Sequence, residues 1–353
     1  MINSRISVKP SAIVNPTLDV WLSGGASIVA LSLLFLSTLL ISQELILEKF
    51  LILTVALNGT HFLASYRLLY SSRKFALSYP WAAIYLPLFL VLYSLAALML
   101  VSHNASYDLP VQILIGTASV YLALHYTGQA WGMMASYAYL DGVVFSARQK
   151  SLLRATLKIM AGWHALWALR LLWKPDGAAQ VYLTNASVVM NYLGIISLAV
   201  GLTVLVWVGK GSGRRVTTRV LVPYVALYVW YVFLFFYPAA LFWVQISHAI
   251  QYLPFPMRVE LNRASRAGDH SEGALARILA PYGLILLAGS ALIFAGLPWL
   301  AEQMGPGASS VWVVMASIIN IHHYFIDGCI WRISNPVVSK ELFAHAEPPG
   351  RAS

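Results

Sequence analysis

Cysteine and charge are what this sequence has least of. Cys329 is the single cysteine among 353 residues, which excludes an intrachain disulfide framework and any metal cluster held on several thiolates. Charged residues make up 10% of the chain, against about 25% in an ordinary soluble domain. That shortage, with 59% hydrophobic residues and a mean hydropathy of +0.71, excludes a soluble globular class. Acidic residues are scarcer than basic ones, 13 against 23 Lys and Arg. The positive excess sits in short connections between apolar runs, which is how orientation signals are distributed, and no nucleic-acid partner is expected. No Gly-x-Ser-x-Gly turn occurs, so the chain lacks the strand-to-helix elbow that presents a hydrolase serine.

What is present is a succession of apolar runs of membrane-crossing length. They cover about 20–41, 50–70, 80–101, 111–135, 159–173, 186–208, 278–300 and 311–333. The first run is too long for the core of a signal peptide and reads as a retained span. A helix over the whole of 220–256 would be about 55 Å long, well beyond the bilayer core. A break near Pro238 makes two passes of it and returns Arg258, Arg263, Arg266 and Arg277 to the side of the other basic loops. The positive-inside rule then places the N-terminus and the basic connections in the cytoplasm. The expected fold is all-α, a polytopic membrane helix bundle of about nine or ten transmembrane helices. It forms a single integral-membrane domain over 1–353, with 1–17 as a cytoplasmic N-terminus and 334–353 as a peripheral tail. The expected location is a bacterial inner (plasma) membrane, and membrane lipids are its first partners.

Histidine is the conspicuous polar residue. Of nine histidines, His103, His270 and His345 fall in loops or the tail. His61, His125, His164, His248, His322 and His323 fall inside predicted spans. One buried histidine is ordinarily an interhelical hydrogen-bonding residue. Six in one apolar chain point further, because an ionisable group at membrane depth is costly unless it meets a partner. Neutral imidazole is also the common protein ligand for iron, copper and zinc. All six are therefore candidate metal ligands.

Four other polar residues are expected to orient these imidazoles: Asn58, Gln129, Gln251 and Asp327. Gln129 and Asp327 lie four residues beyond His125 and His323, on the same helix face; Gln251 lies three beyond His248. Adjacent His322 and His323 point about 100° apart on a helix. Either one ligates while the other hydrogen-bonds nearby, or the two flank two ions.

Histidines spread singly among apolar helices resemble the integral-membrane non-haem iron oxygenases. These include the fatty-acid desaturases and hydroxylases and the Brp/Blh-type carotene-cleaving dioxygenases. The resemblance is one of class, since the chain has no His-x-x-x-His and no His-x-x-His-His box. It implies a transition metal, iron foremost, as one or two ions. It also implies dioxygen chemistry on a lipid or other hydrophobic substrate, and an electron donor as partner. Two alternatives use the same histidines: a haem-bearing electron-transfer protein with axial imidazoles, and a metal- or proton-coupled transporter.

Overall fold

The computed structural model describes residues 12–37, 52–103, 108–211, 215–267, 274–304, 308–333 and 335–346. Every regular element among them is helical. In chain order these are α1 (Pro16–Val20), α2 (Ala26–Ser37), α3 (Thr60–Leu69), α4 (Arg73–Leu77), α5 (Leu86–His103), α6 (Leu109–Leu140), α7 (Ala147–Leu172) and α8 (Ala178–Gly211). There follow α9 (Thr218–Phe236), α10 (Ala240–Tyr252), α11 (Pro254–Arg266), α12 (Ala274–Ala291), α13 (Leu297–Met304), α14 (Ala308–Ile330) and α15 (Pro336–Leu342). Four π-helical segments are spliced between them, at Trp21–Gly25, Thr54–Gly59, Trp81–Tyr85 and Leu292–Gly296.

Among the described residues, seven helical stretches are long and apolar enough to cross a membrane. The other helices of the bundle miss that description for readable reasons. Helix α7 carries Arg148, Lys150, Arg154 and Lys158 in its first half, and α10 has 13 residues. Long apolar side chains such as Leu88, Phe89, Ile195 and Leu284 are exposed on the outer surface, as lipid-facing residues must be.

The segment 220–256 makes two passes. A Cβ on Gly24 would meet both Ala226 of α9 and Gln251 of α10, while Phe35 packs against Phe233 and Tyr237 at the far end of α9. The chain thus leaves the level of Gly24, turns, and returns to it. The turn at Tyr237–Ala239 contains no strongly polar side chain and satisfies its own backbone. Ala240 N–H donates to Tyr237 O at 2.9 Å and Leu241 N–H to Pro238 O at 3.1 Å.

The ion pairs collect at one end. Arg219, buried at the start of α9, is held by Asp141 after α6 and by Asp19 of α1. Asp19 also accepts the N–H groups of Ile13 and Val14, both at 2.9 Å. Arg67 of α3 pairs with Glu260 of α11 at 3.2 Å, and Arg263 pairs with Glu341 of α15 at 2.7 Å. The last residues of α3, α6, α10 and α14 all approach this basic end. These four helices therefore run in the same direction, and they are the ones that carry the central histidines.

Candidate metal centre

A shared direction turns sequence offsets into depth. His61, His125, His248 and His323 lie at one level of the bundle, on α3, α6, α10 and α14. All four are buried, and each offers a ring nitrogen within 4.8 Å of those of the other three. The Nε2 atoms of His125 and His248 are 2.9 Å apart, and those of His125 and His323 are 3.3 Å apart. The His61 ring meets the His323 ring edge to face at 4.3 Å between centroids and the His248 ring at 4.8 Å.

The donor set fits a single cation. Metal–imidazole bonds are about 2.0–2.1 Å, so two nitrogens on one ion stand about 3–4 Å apart. The tautomer of His61 is fixed appropriately: its Nδ1–H donates to the carbonyl of Asn58 at 3.2 Å, which leaves a lone pair on Nε2. That Nε2 is buried and meets no hydrogen-bonding partner among the described residues. Buried polar nitrogens are seldom left so, and a cation answers the need.

The layers above and below have opposite characters. Three residues before each histidine stand Asn58, Leu122, Gln245 and Asn320, which line a crevice against the tetrad on the side away from the basic end, too narrow to hold a water molecule. Four residues after each histidine stand Ser65, Gln129, Tyr252 and Asp327. Asp327 Oδ1 accepts from Ser65 Oγ at 2.9 Å and from Tyr252 OH at 3.1 Å. Ser65 and Tyr252 are also in close contact with each other, and Trp331 Nε1–H donates to Tyr252 OH at 2.8 Å. Asp327 Oδ2 faces the tetrad, 3.5 Å from His323 Nε2 and 3.8 Å from His125 Nε2.

The residues expected to orient imidazoles act differently in detail. Gln129 Nε2 donates to the backbone carbonyl of His248 at 3.2 Å and to Gln251 Oε1 at 3.3 Å. Gln251 Nε2 donates to Ser23 O at 2.8 Å. The amide pair therefore ties the backbone of α10 to α6 and to the N-terminal helix, and does not hold a ring nitrogen. Asn58 contributes its main-chain oxygen to His61, while its side chain lines the crevice. Asp327 stands on the Nε2 side of the rings, where ligand atoms point, and not behind them.

The His322–His323 doublet divides its labour. His323 enters the tetrad, whereas His322 points to α3 and the start of the third span. Its Nε2–H donates to Ala82 O at 2.6 Å, and its Nδ1 accepts from Tyr66 OH at 2.9 Å. Both nitrogens are thereby engaged. His164 also lies outside the tetrad, buried on α7 between Tyr126, Trp167 and Tyr231 with ring centroids 5.4–5.9 Å away. A larger cavity of about 240 Å³, lined by Trp163, Trp167, Arg170 and Asn191 among others, lies beyond it. A relay of ring contacts, Trp167 to His164, His164 to Tyr126 and Tyr126 to His248, joins that cavity to the tetrad.

Three π segments each present a carbonyl to a polar residue of this region. Ser23 O accepts from Gln251, Asn58 O from His61 and Ala82 O from His322. A π turn breaks the i→i−4 ladder and so frees carbonyls for side chains, which accounts for its frequent occurrence at functional sites. The segment before His61 also needs Gly59. A Cβ there would fall 1.8 Å from Ser290 Oγ of α12, whose hydroxyl donates to Val55 O at 2.6 Å.

Comparison with protein-family models, with curated proteins and with solved structures finds no match to this chain.

Proposed function

We propose that His61, His125, His248 and His323 hold one transition-metal ion, iron foremost. We read the protein as a membrane-embedded, dioxygen-using oxidoreductase of the non-haem type acting on a lipid or other hydrophobic substrate. The observation that carries this reading is the convergence of four buried imidazoles from four helices on one point. An all-nitrogen set suits iron, copper or zinc and argues against magnesium or calcium, which take oxygen ligands. One centre of this size argues for one ion over two. The edge-to-face packing of the rings at 4.3–4.8 Å favours a bare ion over haem, because a macrocycle would have to part the imidazoles that contact one another.

Bound iron would supply dioxygen binding and redox chemistry. The chain's own residues supply the rest. The Asn58 carbonyl holds His61 in the tautomer that presents Nε2, and the Gln129–Gln251 pair holds the backbone that carries His248. The tight ring packing excludes bulk water, and the amides of Asn58, Gln245 and Asn320 line the face of the tetrad away from the basic end. A hydrophobic substrate would arrive from the bilayer, and a separate electron donor is required for any oxygenase stoichiometry that consumes reducing equivalents. Under the positive-inside rule the basic end faces the cytoplasm, in a bacterial inner membrane.

Elemental analysis and an absorption spectrum of purified protein test this first. The expected result is one iron per chain without a Soret band, with chelation abolishing oxygen uptake and added Fe(II) restoring it. A preparation active in oxygen uptake yet free of transition metal overturns the reading. A Soret band would transfer the histidines to haem, and metal-dependent flux into vesicles without oxygen uptake would transfer them to transport.

A further inference from the structure

The four-histidine set leaves Asp327 without a role, although its carboxylate stands beside two of the four imidazoles. An orienting carboxylate belongs behind a ligating imidazole, on the nitrogen that does not touch the ion. Asp327 is on the other side. Its Oδ2 lies 3.5 Å from His323 Nε2 and 3.8 Å from His125 Nε2. Those separations exceed an ordinary N–H···O hydrogen bond of about 2.7–3.2 Å. Toward these two imidazoles they match the roughly 3–4 Å between two donor atoms that share one ion at bond lengths near 2.0–2.2 Å. Among the described residues the mutually close set is the four histidines alone, so ligation would draw the carboxylate in from the His125–His323 side. The opposite oxygen is occupied, since Ser65 and Tyr252 both donate to Oδ1. Those hydroxyls come from α3 and α10, two of the helices that also bring histidines, so the same packing that gathers the imidazoles fixes the carboxylate plane.

We propose that Asp327 is the fifth protein ligand of this centre, binding through Oδ2 alone, with Ser65 and Tyr252 holding Oδ1 out of coordination. The inference rests on the metal-binding reading above and adds its oxygen donor. It gives the site two unlike faces. The carboxylate closes the face toward the basic end, and the amide side chains of Asn58, Gln245 and Asn320 line the opposite face. A carboxylate also lowers the net charge of a dicationic site from +2 to +1, which reduces the cost of a charge in a low-dielectric interior.

Cobalt(II) added to metal-stripped, detergent-solubilised full-length protein is a suitable probe, because its visible bands respond to ligand number and type. Asp327→Asn is expected to weaken Co(II) affinity by at least about 10-fold, the lower end of what metal-site partners contribute, and to alter the visible bands. The double variant Ser65→Ala/Tyr252→Phe keeps the carboxylate. It is expected to keep stoichiometric cobalt while its bands change, as Oδ1 becomes free to bind.

Wild-type affinity and unchanged bands in Asp327→Asn, with cobalt lost in His61→Ala and His323→Ala, overturn the fifth ligand and leave the four-histidine reading standing. If Asp327→Asn does not fold, the double variant decides alone: unchanged bands in it overturn the proposal. If wild-type protein binds no metal, the reading beneath the proposal has failed, and that outcome is distinct from both.

Discussion

At the scale of single residues, the two adjacent histidines are the sharpest case. Helical geometry separates their directions by about 100°, and the structure gives each a different set of partners. His323 contributes Nε2 to the tetrad, while His322 spends both nitrogens on Tyr66 and Ala82. Replacing them one at a time should therefore have unequal effects. His323→Ala is expected to remove bound metal and oxygen uptake together. His322→Ala is expected to retain stoichiometric metal and to lose about 1–3 kcal/mol of stability, the cost of leaving a buried hydroxyl and carbonyl unpaired. Metal content by elemental analysis and thermal unfolding in detergent separate the two; equal metal loss in both variants would contradict the division. The sequence made the asymmetry of the doublet legible, because it follows from helix periodicity alone. It did not reveal which member points inward, since that depends on where α3 and α6 lie. Ser65 and Tyr252 were missed although the signal was available. They stand four residues beyond His61 and His248, the register that drew attention to Gln129 and Asp327.

At the scale of elements, the π segments mark where sequence reading stopped. Hydropathy gives the same signal for an α-helix and for one interrupted by a π turn, so nothing in the runs announced that Ser23, Asn58 and Ala82 would offer free carbonyls. The C-terminal tail, expected as a peripheral segment, is docked on the bundle over residues 336–346 through contacts that no hydropathy pattern announces. Asn262 of α11 donates to the carbonyls of Glu341 and Leu342 at 2.8 and 3.0 Å. His345 completes the docking through its neutral ring. Nε2–H donates to Ala12 O at 2.9 Å, and Nδ1 accepts from Asn262 Nδ2 at 3.3 Å. Burial, with the Arg258 charge beside it, holds the His345 pKa below its ordinary value of 6.5. A histidine whose folded pKa is depressed favours the docked state above its unfolded pKa, and that contribution is lost as pH falls through about 6.5 toward the folded value. Protonation would also place a second donor against the Asn262 amide. A spin label on Ala344→Cys, in a Cys329→Ser background, should therefore become more mobile between pH 7.5 and pH 5.5. His345→Gln should remove the pH step, and identical line shapes at both pH values in the parent would count against it.

At the scale of the whole molecule, topology follows from two facts, the direction of each helix and the place where the first and last described residues meet. Sequence reasoning reached most of this, because lipid demands unbroken apolar runs and the Lys and Arg bias labels their ends. The turn at Tyr237–Ala239 was the weak point, having no polar residue to advertise a surface. Its backbone hydrogen bonds show why none is needed. What no span count could supply is the packing that makes α3, α6, α10 and α14 neighbours, and with it the tetrad. The contacts of Arg258 with Ile13 O and of His345 with Ala12 O bring the first and last described residues to one end. Both lie beside the Arg219–Asp141 and Arg67–Glu260 pairs. The number of crossings between them is therefore even, and Asp176, between α7 and α8, belongs to the opposite side. In a Cys329→Ser background, single cysteines at Ala12 and Ala346 should resist a membrane-impermeant maleimide in intact cells and react after lysis. A cysteine at Asp176 should react in intact cells. Labelling of Ala12→Cys and Ala346→Cys from opposite sides would break the even count. Both reacting in intact cells, with Asp176→Cys protected, would keep the fold, reverse its orientation and place the amide-lined face of the centre toward the cytoplasm.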